Sequence, residues 1–568
     1  MILQSIINIA EICSQKGISE AILSPGSRCA PLTLAFVRHP KINTRTIGDE
    51  RSAGFIGLGL ALKSKTPTVL VCTSGSAAYN YAPAVAEAYF QQIPMVIFTA
   101  DRPPEWIDQL DGQTIRQQQI YGRHVKKSYE LPVDQEHPDA QWHVNRIVNE
   151  AINESKSFPP GPVHINAPFR EPFYPSTDEA FKFDQDIRIF EEESCTAKLS
   201  ESQIELFSKK LGNKRILILA GQDTLNIKLL EHLNEFSQKH HVPVIGDVIS
   251  NCHSADNIIQ HQDAFLAVRS NDFRKNLSPD ILITFGKSVI SKQLKIFLRE
   301  LDIDEHWHLQ IAGEVADTFQ QLTKIIRVAP EVFFQEIKSK SSGNEASHTY
   351  LMHWKQSNET AGKTFSETFF NQEFSEFEAV KELMSTLPSN SDLHLANSMP
   401  VRYANYVGLK DKSIEVYANR GTSGIDGSNS TALGTALGTK RITTLITGDM
   451  AFFYDRNAFW NNYIPANLRI VILNNHGGGI FGLIKGPSQQ PELAEYFETE
   501  QPLFAESLSK EYGLDYYHCK TRGELISYLP SFFKMGTKAK ILEIETDKNI
   551  NKRIFATFKS NIQKTYGV

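Results

Sequence analysis

The sequence predicts an α/β protein of three domains, each a parallel sheet flanked by helices. Three observations predict it. The chain has 568 residues, more than one hydrophobic core organises when domains hold roughly 100–200 residues each. Short apolar runs alternate with longer amphipathic stretches along its length, which is the rhythm of βα units. Two polar stretches, Tyr174–Glu193 and Ser339–Ser347, read as linkers. They divide the chain into expected domains at 1–175, 190–345 and 350–568.

In the first block Ala21–Leu23, Thr68–Cys72, Met95–Thr99 and Pro162–Ile165 are expected strands, and Ala77–Phe90 an expected helix. The second block places strands at Arg215–Ala220, Val242–Ile245, Ile281–Phe285 and His308–Ile311. None of them is followed by GxGxxG, so a dinucleotide site has no support there. The third block places strands at Ser413–Tyr417, Thr443–Thr447 and Arg469–Leu473. Blocks one and three share a plan. VLVC leads into Thr73-Ser74-Gly75 and, after a helical stretch, MVIFT leads into Ala100-Asp101. TTLI leads into Thr447-Gly448-Asp449, and RIVIL into Asn474-Asn475. From Thr73 to Ala100 and from Thr447 to Asn474 the distance is 27 positions. Two domains of like architecture whose strand ends face one ligand would account for this, because open α/β sheets bind ligands beyond the carboxyl ends of their strands.

Composition narrows the function. Hydrophobic residues make up 41% and charged residues 22%, ordinary for a globular protein. A net charge of −6 argues against a general nucleic-acid binder, which needs a basic surface; a local arginine cluster can still hold an anionic substrate. The run Arg123–Lys127 (RHVKK) reads as a solvated face. The six cysteines (Cys13, Cys29, Cys72, Cys195, Cys252, Cys519) are scattered without a CxxC pair and read as reduced thiols. The histidines show no HxxxH or HExxH pairing, so no zinc site is expected. MILQSIINIAEICSQKG lacks a basic leader and is interrupted by Glu11, so no signal peptide is expected. No apolar run reaches ~18 residues, so no membrane span is expected. A cytoplasmic location follows as the expectation.

The sharpest chemical feature is Gly448-Asp449 followed by Asn474-Asn475, each pair just past an apolar strand. A Mg²⁺ ion takes roughly six oxygen ligands. A carboxylate, a side-chain amide and a main-chain carbonyl can supply three, and Gly477-Gly478-Gly479 lets backbone approach a phosphate without Cβ clashes. The second feature is Gly48-Asp49-Glu50-Arg51, after the extended segment NTRTI.

Asp449, Asn475 and Gly477 resemble the diphosphate–metal motif of thiamine-diphosphate enzymes. By that resemblance Asp449 and Asn475 ligate Mg²⁺ through side chains and Gly477 through its carbonyl, with Mn²⁺ able to substitute. Glu50 then stands where this superfamily keeps the carboxylate that pairs with the aminopyrimidine ring and activates the cofactor. The 23 residues between Met450 and Asn474 lie at the short end of the usual gap, which a shortened connection around Tyr463–Asn467 would absorb.

Further segments narrow the resemblance. They are Ser24–Leu32 (SPGSRCAPL), Thr99–Glu105 (TADRPPE), Gly161–Asn166 (GPVHIN), Phe169–Pro172 (FREP), Ala418–Gly427 (ANRGTSGIDG) and Asn475–Phe481 (NHGGGIF). Together they resemble the 2-succinyl-5-enolpyruvyl-6-hydroxy-3-cyclohexene-1-carboxylate synthases of menaquinone biosynthesis. The likeness covers blocks one and three and is weak across the middle. It implies the thiamine-diphosphate-binding fold, with pyrimidine-binding, central and diphosphate-binding domains. It also implies a transferase that decarboxylates 2-oxoglutarate and adds the succinyl carbanion equivalent to isochorismate. It implies a homodimer or dimer of dimers, because in that superfamily the cofactor lies between two subunits.

Carried over by position, Glu50, Arg28, Gln113, Arg402 and Arg420 are the implied catalytic residues. Thr73, Gly75, Ser423, Gly424, Ile425, Gly448, Gly479 and Ile480 join Glu50, Asp449 and Asn475 around the cofactor, Ile425 as the apolar wedge between its rings. Ser27, Arg28, Arg102, Gln113, Lys292, Ser398, Arg402, Arg420, Phe481 and Ile484 line the substrates. Each substrate carries two carboxylates, which suits arginine and lysine. Two departures stand out. The middle block reads Lys292-Gln293 where the family often has Lys-Arg. The family's usual Gly-Ala-Asn-Gln reads Leu110-Asp111-Gly112-Gln113. Two alternatives are weighed: another thiamine-diphosphate decarboxylase or acetolactate-type synthase, whose small apolar pocket the Arg-bearing loops argue against, and a catalytically silent cofactor-binding paralogue, against which the joint presence of Glu50, Asp449 and Asn475 argues.

Overall fold

The computed structural model describes residues 3–176, 179–337, 343–370 and 372–567. Three six-stranded sheets form its frame, and every strand pairing in them is parallel. The first comprises β1 (Glu20–Leu23), β2 (Asn43–Thr46), β3 (Thr68–Cys72), β4 (Met95–Asp101), β5 (Ser128–Glu130) and β6 (Pro162–Pro168), in the order β2-β1-β3-β4-β6-β5. The second comprises β7 (Ile216–Ala220), β8 (Val244–Gly246), β9 (Ile258–Ile259), β10 (Ile281–Phe285), β11 (Glu305–Leu309) and β12 (Lys324–Ile326). The third comprises β13 (Asp392–Leu395), β14 (Glu415–Tyr417), β15 (Thr443–Gly448), β16 (Leu468–Asn474), β17 (Asp515–Cys519) and β18 (Lys540–Glu545), in the order β14-β13-β15-β16-β18-β17. Sheets one and three therefore have the same topology, and the two 27-position segments are their equivalent β3–β4 and β15–β16 units. The central strands are buried along their whole length, which is why they read as continuous apolar runs rather than alternating ones.

Some expected elements shift. The helix expected over Ala77–Phe90 is two helices, Ser76–Asn80 and Ala82–Gln91. Pro83 lies at the start of the second, where its missing N–H and fixed φ interrupt the first. The strand expected at His308–Ile311 lies earlier, as β11. His306 and His308 disguise it as polar, but both bond the Thr284 hydroxyl of the adjacent β10, at 2.9 and 2.8 Å. The described residues of the Tyr174–Glu193 segment form no helix or strand, yet they are docked rather than free. Phe181, Phe183, Ile187 and Ile189 pack on the first core, and Lys16 Nζ donates to the Phe190 carbonyl at 2.8 Å. The second expected linker falls partly outside the described residues. By Asn344 a capping box already starts the helix Glu345–Thr368.

The first and third domains are locked together by two helices, Glu50–Ser64 and Ser428–Leu437. They cross at glycines. A Cβ on Gly59 would sit 2.1 Å from the Thr431 carbonyl oxygen, and one on Gly434 would sit 2.1 Å from that of Ile56. Lys63, at the end of the first helix, reaches Asp392 at 2.9 Å and Glu415 at 3.3 Å. Gly434→Ala must push the helices apart, and overpacking of this kind costs about 1–3 kcal/mol. A lower thermal midpoint is the expected outcome, checked by calorimetry.

Candidate active site

The third sheet places four loops side by side at the carboxyl ends of β14, β13, β15 and β16. The order in which strands are added across the sheet reverses at β13 and β15, and such a switch point opens a crevice. A cavity of about 620 Å³ lies there.

After β13 comes Asn397-Ser398, with Ser398 held at φ +73° before the helix Met399–Val407. Arg402, on that helix, donates to the Ser398 carbonyl at 2.5 Å. After β14 comes Arg420, whose Nη1 donates to Asn397 Oδ1 at 2.7 Å; Arg420 Nε is buried without a partner. Burial lowers the pKa of both guanidinium groups, and the Arg402 charge lowers that of Arg420 further. Both nevertheless stay charged. The loop carrying Arg420, Ser423 and Ile425 is anchored to the first domain by buried Glu87. That carboxylate accepts from Gly421 N at 2.7 Å, Thr422 N at 2.6 Å and the Thr422 hydroxyl at 2.6 Å. Glu87→Ala would strand these donors, each worth about 1–3 kcal/mol when left unsatisfied. A raised substrate KM with a lowered melting temperature is the expected result, read from steady-state kinetics and calorimetry.

After β15, Gly448 leads directly into Asp449, the first residue of a short helix. A Cβ on Gly448 would meet nothing within 4 Å, so this side of the loop is open to the cavity. Asp449 is buried, which pushes its carboxyl up to about 6 against hydrogen bonds from Gln501 and the Met450 and Gly477 N–H groups. Gln501 Nε2 reaches Asp449 Oδ2 at 2.8 Å. After β16, Asn475 donates from Nδ2 to Glu376 Oε1 at 2.6 Å, and its Oδ1 is buried without a partner. The Gly477 carbonyl accepts from Gly479 N at 3.0 Å and keeps a second lone pair. A Cβ on Gly479 would lie 2.8 Å from Asn475 Nδ2, and one on Gly477 2.8 Å from the Glu498 carbonyl, so both positions require glycine.

Among the described residues no three His, Cys, Asp or Glu side chains gather into a metal cluster. The donors at this cavity are instead a carboxylate, an orphaned amide oxygen and a carbonyl. That is a hard-cation set needing further oxygens from a ligand. Ile480, Phe481 and Ile484 form the apolar wall, and Ile425 stands at the mouth, 37% exposed.

Of the expected residues, Ser398, Arg402, Arg420, Ser423, Ile425, Gly448, Asp449, Asn475, Gly477, Gly479, Ile480, Phe481 and Ile484 all line this cavity. The Gly424 carbonyl accepts from Asn397 beside it at 2.7 Å. The first-domain residues form a separate group at the equivalent strand ends. Ser27 and Arg28 follow β1, Glu50 follows β2, Thr73 and Gly75 follow β3, and Arg102 follows β4. Thr73 packs on Gly26, where a Cβ would lie 2.2 Å away, and Gly75 lies against the Gln113 backbone. Arg28 is buried, donating to the Phe169 carbonyl at 2.9 Å over the Phe173 ring. Arg102 pairs with Asp111 at 3.0 Å. Glu50 begins its helix, within reach of Asn80 Nδ2 at 3.4 Å. None of these lines the cavity within one chain. Lys292 is exposed at the first residue of the helix Lys292–Arg299. Its neighbour one turn on, Lys295, is half-buried, and burial together with the nearby Arg420 charge lowers its pKa.

Sequence reasoning missed Glu87, Glu376 and Gln501. None of them belongs to a recognisable motif, and only the fold brings each to the loops it holds.

Comparison with known proteins gives a consistent picture. Residues 8–121 match the family model of the thiamine pyrophosphate enzyme N-terminal TPP binding domain, and residues 188–395 match that of the middle domain of thiamine pyrophosphate enzymes. The chain is 47% identical to a 2-succinyl-5-enolpyruvyl-6-hydroxy-3-cyclohexene-1-carboxylate synthase of Cytophaga hutchinsonii, over 99% of this chain and 100% of that protein. It is 38% identical to the synthase of the same name from Flavobacterium johnsoniae, over 95% of each chain. With that of Porphyromonas gingivalis the identity is 36%, over 97% of this chain and 96% of the other.

Proposed function

The chain belongs to the thiamine-diphosphate-dependent 2-succinyl-5-enolpyruvyl-6-hydroxy-3-cyclohexene-1-carboxylate synthases, and from that premise we propose that it decarboxylates 2-oxoglutarate and adds the succinyl carbanion equivalent to isochorismate, releasing CO₂, as a step of menaquinone biosynthesis. The observation that carries this reading is the cavity itself. Asp449, Asn475 and Gly477 line it together with two arginines, Arg402 and Arg420, that form no ion pair among the described residues, over an apolar wall.

Thiamine diphosphate supplies, when bound, a nucleophilic carbon and an electron sink for the decarboxylation. Asp449, Asn475 and the Gly477 carbonyl would hold Mg²⁺, or Mn²⁺ in its place, against the diphosphate. Arg402 and Arg420 bind substrate carboxylates and orient the 2-oxo acid, a contribution made through positioning. Ile480, Phe481 and Ile484 keep water from the reacting centre, and Ile425 props the cofactor. Glu50 holds a proton at the aminopyrimidine nitrogen.

The two residue groups lie apart in one chain, so the complete site joins the third domain of one copy to the first domain of another. The minimum unit is a homodimer, and a dimer of dimers repeats it. Arg28, Arg102, Gln113 and Ser27 then reach the substrates from the second copy. No described helix is long and apolar enough to cross a membrane, and the six cysteines are unpaired, as in a reducing cytoplasm.

The test mixes protein, thiamine diphosphate and Mg²⁺ with 2-oxoglutarate, with and without isochorismate. Isochorismate consumption that requires both 2-oxoglutarate and the cofactor is the expected result. CO₂ release from pyruvate with isochorismate untouched would overturn the substrate assignment.

A further inference from the structure

Glu376 is a carboxylate in the wall of this cavity that the chemistry above does not use. It opens the helix Glu376–Thr386, capped by Ser375, and is 2% exposed. Its N–H donates to Asn551 Oδ1 at 2.9 Å, which fixes the start of the helix. Among the described residues, no cation is among the groups that act on it. Its side-chain neighbours are Tyr403, Asn475 and, as a like charge, Asp449.

Its contact with Asn475 decides an orientation. An asparagine amide can be turned either way about its last torsion, presenting oxygen or nitrogen to a given neighbour. The structure gives the 2.6 Å contact as Nδ2 donating to Oε1, the direction that an ionised carboxylate, an acceptor only, holds in place. That leaves Oδ1, the only atom of the amide able to ligate a cation, facing the cavity, and Oδ1 is indeed buried without a partner. Were Glu376 absent, the free amide could turn its NH₂ towards the cavity, and an N–H there repels a cation. Gln501 plays the matching part for Asp449, holding Oδ2 at 2.8 Å.

We propose that Glu376 is a positioning residue of the metal site, fixing the Asn475 amide so that its oxygen rather than its nitrogen meets the divalent cation. This rests on the cofactor–metal reading of the cavity. Outer partners of metal ligands typically tune affinity about 10–100-fold.

The test measures Mn²⁺ binding by electron paramagnetic resonance, with thiamine diphosphate present and no substrate. Wild-type protein is expected to bind Mn²⁺. Glu376→Leu, which fills the space but accepts nothing, is expected to bind it about 10–100-fold more weakly. Its Mg²⁺ activation constant should rise while the KM for 2-oxoglutarate at saturating metal stays unchanged. Where Glu376→Leu does not fold, a swap decides. Asn475→Asp sets two carboxylates against each other, and adding Glu376→Gln restores the contact with donor and acceptor exchanged. The double variant is expected to bind Mn²⁺ about tenfold more tightly than Asn475→Asp alone. Wild-type binding with Glu376→Leu unchanged, or with the single and double Asn475→Asp variants equal, overturns the role of Glu376 alone. Absence of Mn²⁺ binding by the wild type overturns the cofactor–metal reading and this inference with it.

Discussion

Glu50→Gln is expected to lower turnover by about 10²–10⁴-fold, the range general acid–base catalysis contributes, while cofactor binding persists. Glutamine keeps the size and a hydrogen-bonding oxygen but cannot share a proton with the aminopyrimidine nitrogen. The fold should tolerate the change. The helix start depends on Asp49, whose side chain accepts from Ser52 N at 3.2 Å and from Asn457 Nδ2 at 2.7 Å, and neither contact involves Glu50. Initial rates of isochorismate consumption check it, alongside calorimetric titration of thiamine diphosphate. Full turnover by the variant would remove Glu50 from the chemistry.

Asp449→Ala is expected to abolish metal-dependent cofactor binding, a loss beyond the roughly 100-fold seen when only a ligand's supporting partner is removed. Of the three proposed ligands the pocket would keep Asn475 and the Gly477 carbonyl, neither of them anionic. Combined with Glu50→Gln this variant also tests the assembly. In a dimer whose sites draw Glu50 from one copy and Asp449 from the other, a mixed dimer holds one doubly altered site and one intact site. Unfolding and refolding an equal mixture should then recover about a quarter of wild-type activity, because half the dimers are mixed and each has one working site of two. If each chain built its own site, the mixture would be as inactive as its components.

The legibility of this protein in sequence was uneven for physical reasons. Thr68–Cys72 and Ile281–Phe285 match β3 and β10 end to end, because a strand buried on both faces must be apolar throughout. β11 was displaced in the expectation because its histidines satisfy themselves on a neighbouring strand. The break at Tyr81 was masked by an apolar pattern that runs on through Pro83. The segment Tyr174–Glu193 reads as a linker by composition, yet its few aromatic residues suffice to dock it.

The sequence by itself determined the three α/β domains, the strand-end loops and the residue types that the proposed function assigns to a metal, a diphosphate and carboxylates. Those signals are local: a glycine beside an aspartate just past an apolar run states both the turn and the donor within a few positions. Only the tertiary structure decided which donors face one cavity, that the Glu50 group does not line it in a single chain, and that Glu376, 99 positions from Asn475, accepts a hydrogen bond from that amide. Such pairings depend on the order of strands in a sheet and on helices crossing at Gly59 and Gly434. Hydrogen bonds between residues so far apart leave no period or motif in the chain.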